Sequence, residues 1–146
     1  MDKKDIAILN ALSENARMPL RELAKVAKVS AVTAMNRLRA MEGSGTIKGY
    51  AAVLDYEKLG YDVEAMIQLR ISKGKLLDLE EKIAKNPNVV AVYDVTGNFD
   101  AAIIARFRNR RAMDAFLKKI QTFDFVERTN TSLILRTIKE ENVKIQ

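Results

Sequence analysis

The chain has 146 residues, 48% hydrophobic and 30% charged, with a net charge of +6 and a sequence pI near 9.6. This is apolar content enough for one ordinary domain or two small ones. Cysteine and histidine are both absent. Disulfides, thiolate chemistry and Cys-based metal sites are therefore excluded, and the commonest general base and metal ligand is missing. No apolar run is long enough to span a membrane, and Asp2-Lys3-Lys4-Asp5 is no secretory signal core, so a cytoplasmic location is expected. The positive charge is uneven. Residues 1–50 hold nine Lys/Arg against five Asp/Glu, whereas residues 51–146 hold sixteen against fourteen. A basic head on a nearly neutral body suits a phosphate-facing role, although solvated surface charge gives the same totals.

In chain order, Asp2 is placed to cap a first helix that ends near Asn15, with Ile6, Leu9 and Leu12 facing inward. Pro19 suits the first turn of a second helix, in which Leu20, Leu23, Ala24 and Ala27 recur at i, i+3, i+4 and i+7. A break at Lys28-Val29 leads to Ser30, an N-cap residue, and a third helix with Val32, Met35, Leu38 and Met41 along one side. Thr33, Asn36 and Arg37 then fall on the opposite side, with Ser30 at its edge. A tight helix pair with a polar outer face on its second member is what major-groove reading requires.

Gly43 and Gly45 close the third helix. Thr46–Leu54 reads as a short wing or β-ribbon running into a connecting strand, in which Lys48 is placed to reach a phosphate. Asp55–Gly60 is turn-like. The expected division is a winged helix-turn-helix over residues 1–50, a connector over 51–60 and a second domain over 61–146.

From residue 63 the period changes. Val63–Ile71 reads as a strand, Leu76–Lys85 as a helix stopped by Asn86-Pro87-Asn88, Val89–Val95 and Ala101–Phe107 as strands, and Val126–Ile138 as a long final strand. Asn109 caps a helix with Met113, Phe116, Leu117 and Ile120 on one face. The order β-α-β-β-α-β is the ferredoxin-like arrangement, one antiparallel sheet with both helices on one side. The fold class is thus α+β. The sheet's other side needs cover, and a second copy of the chain is the simplest supply.

The DNA-contact candidates are Ser30, Thr33, Asn36 and Arg37. Ser and Thr bond to bases or phosphates, Asn suits adenine, and Arg suits guanine or phosphate. Arg37 has an alternative role in an intramolecular ion pair, with Glu42 as one candidate. Arg39, like Lys48, is either a phosphate neighbour or a plain solvated surface cation. Thr96-Gly97-Asn98-Phe99-Asp100 is first a hairpin turn, and its amides and Asp100 also offer the donors and acceptor a free amino acid needs. The run Arg106, Arg108, Arg110, Arg111 is either a DNA track or, more simply, a solvated strand end and helix start. There is no nucleophile elbow, Gly-rich phosphate loop or carboxylate metal motif, so no enzyme activity and no cofactor are expected.

Taken together, the chain resembles the Lrp/AsnC family of prokaryotic transcription regulators over nearly its whole length. The resemblance is carried by Asp2-x-x-Asp5-x-x-Ile8-Leu9, Ala16-Arg17, Glu22-Leu23-Ala24, Val29-Ser30-x-x-Thr33 and Arg37-x-x-x-Met41-Glu42-x-x-Gly45-x-Ile47-x-Gly49-Tyr50. It continues in Val92-Tyr93-x-Val95-Thr96-Gly97-Asn98-Phe99-Asp100 and Val126-Glu127-Arg128-Thr129-Asn130-Thr131. Asn98 stands where an acid is common, and Asp124-Phe125 where a Pro-Gly pair is common. The resemblance implies a ferredoxin-like body of the RAM/ACT type. It also implies an amino-acid effector at Thr96–Asp100 between dimers, with Thr131, Ser132 and Leu133 contributed by a neighbouring subunit. The implied partners are double-stranded DNA and further copies of the chain, as a homodimer and a tetramer or octamer of dimers. An architectural DNA-binding protein and an amino-acid-sensing module without a DNA role are the alternatives.

Overall fold

The structure, a computed structural model, describes residues 1–146. It divides into two compact units, Met1–Val53 together with Lys139–Gln146, and Leu54–Ile138.

The first unit is built on three helices, α1 (Lys3–Glu14), α2 (Leu20–Ala27) and α3 (Ala31–Gly43). α1 starts where Asp2 supplies a complete capping box. The Asp2 carboxylate accepts from the amides of Lys4 (2.9 Å) and Asp5 (3.0 Å), and the Asp5 carboxylate accepts from the amide of Asp2 (3.0 Å). Pro19 is the N-cap of α2 rather than its first residue, and no side chain caps that end. α2 ends in a left-handed residue, Lys28 (φ 53°), whose amide returns to the carbonyls of Ala24 and Lys25. That single reversal makes the tight turn into α3, whose N-cap is Ser30. The buried core joins Ile8, Leu9 and Ala11 of α1 to Leu23 and Ala27 of α2 and Met41 of α3. Leu12 lies at its edge rather than its centre, and Ile6 is only half-buried.

Two expectations for this unit fail. Thr46–Leu54 forms no strand, so there is no wing ribbon. A ribbon needs two chain segments whose amides and carbonyls pair, and this segment has no partner strand within the chain. Val32 is 63% exposed, so the buried side of α3 is Ala34 and Met41, flanked by Leu38.

The C-terminal segment also departs from the expected boundary. Residues 139–146 belong with the helices and not with the second domain. Ile145 packs against the helical core, and the Asn10 side chain clasps its backbone in both directions, accepting from its amide (2.9 Å) and donating to its carbonyl (3.0 Å).

The second unit is a four-stranded antiparallel sheet in the order β2-β3-β1-β4, with β1 Val63–Ile71, β2 Val89–Asp94, β3 Ala101–Phe107 and β4 Val126–Leu133. The crossovers carry α4 (Leu76–Leu79), continued by a π-helical turn over Glu80–Ala84, and α5 (Arg110–Gln121). Asn109 caps α5 as expected, accepting from the Ala112 amide at 2.9 Å. The register puts Ala65, Ile67 and Leu69 beside Ala105, Ile103 and Ala101 on one side of the sheet. These pack with Leu79, Ile83, Met113, Phe116 and Ile120 from the helices. The opposite side presents Met66, Ile104, Ala102 and Tyr93, of which Tyr93 is 55% exposed. β4 stops at Leu133, short of the expected Ile138. The Ile134 amide makes the last rung, to the Glu64 carbonyl, and β1 begins only one residue earlier. Residues 135–138 therefore have no strand to pair with.

Candidate nucleic-acid interface and effector turn

On α3, Thr33, Asn36 and Arg39 are exposed, with Val32 and Ala40 between them. Helical spacing places Val32, Thr33, Asn36 and Ala40 on one solvent face, with Arg39 at its border. Ser30 is committed to the helix start: its hydroxyl accepts from the Thr33 amide (3.1 Å) and donates to the Thr33 hydroxyl (2.9 Å). The Thr33 hydroxyl keeps its own hydrogen for an outside acceptor. Asn36 offers an amide that can both donate and accept, the pairing geometry of adenine. Lys48 is exposed in the loop beyond α3.

Arg37 departs from the sequence reading. Its Nη1 donates to Asp2 Oδ2 and to Asp5 Oδ1, both at 2.8 Å, and its side chain is only 27% exposed. The capping box of α1 thus doubles as the receptor for a guanidinium from α3. The partners are Asp2 and Asp5, not Glu42. The amide of Asp5, together with Arg37, holds the Asp2 carboxyl below its ordinary range, and the amide of Asp2 and Arg37 do the same for Asp5. The Arg37 guanidinium is pushed up by the same two carboxylates. Its Nε is buried with no hydrogen-bond partner. Arg37 is a staple between two helices. The signal in the sequence is Asp2-x-x-Asp5 itself, because two acids on one helix start call for a balancing cation.

Glu42 instead accepts from the Tyr50 hydroxyl at 2.8 Å, which folds the segment after α3 back onto that helix. Loss of surrounding water and the neighbouring carboxylate push the Tyr50 hydroxyl up to about 12.

In the second unit the turn Thr96–Asp100 is built as expected of a hairpin, with Gly97 at φ +111°, a conformation a side chain would strain. Asp100 has a structural duty. Its Oδ2 accepts from the Ile71 amide (2.8 Å), its own amide donates to the Leu69 carbonyl (2.8 Å), and its carbonyl accepts from Val95 (2.9 Å). The bond to Ile71 falls at the irregularity in β1 between Arg70 and Ile71, where the ladder to β4 shifts register. Thr96, Gly97 and Asn98 are exposed, and Phe99 is half-buried.

Within one chain Thr131, Ser132 and Leu133 lie away from this turn, and the contribution expected of them is a neighbouring subunit's. Thr131 pairs with Ile67, two rungs along β1 from Leu69, about 7 Å away at the usual rise of a strand. From the same chain Arg70 and Arg128 reach the turn, and neither is among the site residues expected from the sequence. Arg70 Nη1 donates to the Asn98 carbonyl (3.2 Å), and the Arg128 guanidinium lies 4.8 Å from the centre of the Phe99 ring. The arginine run is also accounted for in part. Arg106 pairs with Glu64 at 3.1 Å and stacks on Tyr56, while Arg108 lies over Tyr61 and donates to the Leu59 carbonyl. These two hold the turn at 56–61 against the sheet. No helix is long and apolar enough to cross a membrane.

Comparison with known proteins agrees with both units. Residues 1–42 match the AsnC-type helix-turn-helix domain, and residues 64–143 match the Lrp/AsnC ligand-binding domain. An uncharacterised HTH-type transcriptional regulator of Pyrococcus abyssi is 39% identical, covering 97% of this chain and 96% of the relative. The HTH-type transcriptional regulator FL11 of Pyrococcus horikoshii is 34% identical, covering 96% and 93%. Among solved structures, AsnC of E. coli superposes with a TM-score of 0.90 at 31% identity, covering 99% of each chain. A transcriptional regulator of Neisseria meningitidis in complex with L-methionine superposes with a TM-score of 0.93 at 29% identity, covering 100% and 96%. With a helix-turn-helix, a ferredoxin-like body and matches of this extent, the chain belongs to the Lrp/AsnC family of HTH-type transcriptional regulators and is not an enzyme.

Proposed function

We propose that the protein reads specific duplex sequences through α3, works as a homodimer or a higher assembly of dimers, and is modulated by a small amino acid bound at Thr96–Asp100 between dimers. The observation that carries the DNA reading is the exposed face of α3, where Thr33 and Asn36 present hydrogen-bonding groups with Arg39 at the border. Val32 adds an apolar group suited to a thymine methyl. The dimer reading is supported by the uncovered side of the sheet, with Met66, Ile104 and Tyr93 in neighbouring strands. Two heads on one duplex face, spaced by ~34 Å, read half-sites one helical turn apart. The effector reading is supported by the exposed turn and by the methionine complex of the Neisseria regulator. An effector of this kind acts only through unequal affinity for two assemblies.

The test is fluorescence anisotropy of the full chain on genomic fragments at two salt concentrations, with Asn36→Ala and Arg39→Ala. Asn36→Ala is expected to relax sequence preference, and Arg39→Ala to weaken all duplexes alike. Equal competition by every fragment overturns sequence-specific reading in favour of an architectural role. Salt-independent binding, or none, overturns the DNA role altogether.

A further inference from the structure

We infer that the ligand of the turn is a dicarboxylic amino acid, with one carboxylate held between Arg70 and Arg128. This rests on the reading of Thr96–Asp100 as an effector site and adds the charge of what binds there. Arg70 and Arg128 are direct cross-strand partners in β1 and β4. They share the uncovered side of the sheet with Gln68 and Asn130, the next rung, whose side chains hydrogen-bond at 3.2 Å. Like charges directly opposite each other on neighbouring strands destabilise a sheet. Besides Asp100, which is held by the Ile71 amide, Glu127 stands nearby, its carboxylate 3.7 Å from Arg70 Nε with both side chains about half exposed. An exposed pair of that length is weak. Arg128 has no carboxylate partner, only the Phe99 ring.

Both guanidiniums are drawn to the turn, Arg70 by the Asn98 carbonyl and Arg128 by Phe99. Stacking on a ring fixes the guanidinium plane and leaves its N–H edge for a planar carboxylate. Asp100 uses Oδ2 for the Ile71 amide, while its Oδ1 accepts no protein hydrogen bond and is open to an ammonium group. The arrangement thus offers one acceptor for an α-ammonium, exposed turn amides for one carboxylate and two guanidiniums for another. A neutral side chain leaves the arginine pair unrelieved. A cationic one adds a third positive charge beside it.

Isothermal titration of the full chain at fixed salt with L-glutamate, L-aspartate, L-glutamine, L-leucine and L-lysine tests this. L-glutamate or L-aspartate is expected to bind at least about tenfold more tightly than L-glutamine, the scale of one charge-assisted contact. Arg128→Gln and Arg70→Gln are expected to erase most of that preference. The wild-type panel stands without the variants, so a folding defect in either leaves the test intact. Leucine or lysine binding as tightly as glutamate overturns the dicarboxylate inference while leaving an amino-acid effector in place. A glutamate preference unchanged in both variants overturns the arginine assignment. Binding of no amino acid overturns this inference and the effector reading together.

Discussion

Asp100 is the residue at which ligand binding and folding are most easily confused, and a pair of substitutions separates them. Asp100→Ala removes the acceptor of the Ile71 amide, a 2.8 Å bond to a charged group at the irregular end of β1. Hydrogen bonds to charged groups contribute about 1.5–3 kcal/mol, and orphaning a buried donor costs about 1–3 kcal/mol. Ile71 is half-buried, so water recovers part of this, and the expected loss is about 1–2 kcal/mol. Asp100→Asn keeps an oxygen in the same place and is expected to lose less than about 1 kcal/mol, the scale of a neutral bond. Urea unfolding followed by far-ultraviolet circular dichroism measures both, with an unchanged slope confirming that the folded surface is the same. An alanine variant as stable as the asparagine variant refutes the structural role. If the role holds, loss of ligand in Asp100→Ala alone says nothing about contact, and Asp100→Asn is the informative probe.

Arg37→Ala is expected to lower the thermal midpoint of the helical unit and raise the pH at which it unfolds in acid. Asp2 and Asp5 have lowered folded-state pKa values, so their contribution is complete above the ordinary carboxylate value and is lost as pH falls through the lowered ones. Acid titrations of variant and wild type that superimpose would refute the staple. Tyr50 is raised, so its contribution is complete below about 10, the ordinary tyrosine value, and is lost as pH rises towards about 12. Tyrosinate absorbance is expected to show one of the four tyrosines lagging, and Glu42→Gln to bring it down; an unchanged titration refutes the pairing. Lys28→Gly is expected to stabilise by about 0.5–1 kcal/mol in urea unfolding, because glycine occupies the left-handed turn without the Cβ penalty. A loss of stability would show that the lysine side chain earns its place.

The sequence carried the order of elements with little error because their signals are local. Asp2, Ser30 and Asn109 each cap the helix they precede, and the alternation in Ala101–Phe107 coincides with the observed strand. What it hid was pairing between distant residues. Arg37 looked like a groove reader because a wheel shows only which way a side chain leaves its own helix. Two acids more than thirty positions earlier decide where it goes. Arg70 and Arg128 face each other across strands separated by fifty-odd residues of chain, so no spacing rule joins them. The missing wing and the shortened β4 have the converse cause. Strand-like composition in Thr46–Leu54 and in residues 135–138 meets no partner strand in the same chain.

Pairings, distant and local, also ration the positive charge that first suggested DNA. Arg37 is spent on Asp2 and Asp5, Lys25 lies 2.9 Å from Glu22, and Arg106 and Arg108 are stacked on tyrosines in the second unit. Within α2, α3 and the loop that follows, Arg21, Lys28, Arg39 and Lys48 are exposed and carry no ion pair. Each phosphate neutralised contributes about −0.9 to the slope of log affinity against log salt. Four cations therefore set a ceiling of about −3.6 for these elements of one head, or about −7 for two heads on one duplex. Arg39→Ala and Lys48→Ala are each expected to flatten the slope by about one per head, and Arg37→Ala to leave it unchanged while lowering stability. A wild-type slope steeper than the ceiling brings cations from outside α2, α3 and that loop onto the duplex. A flattened slope in Arg37→Ala returns that residue to the phosphates.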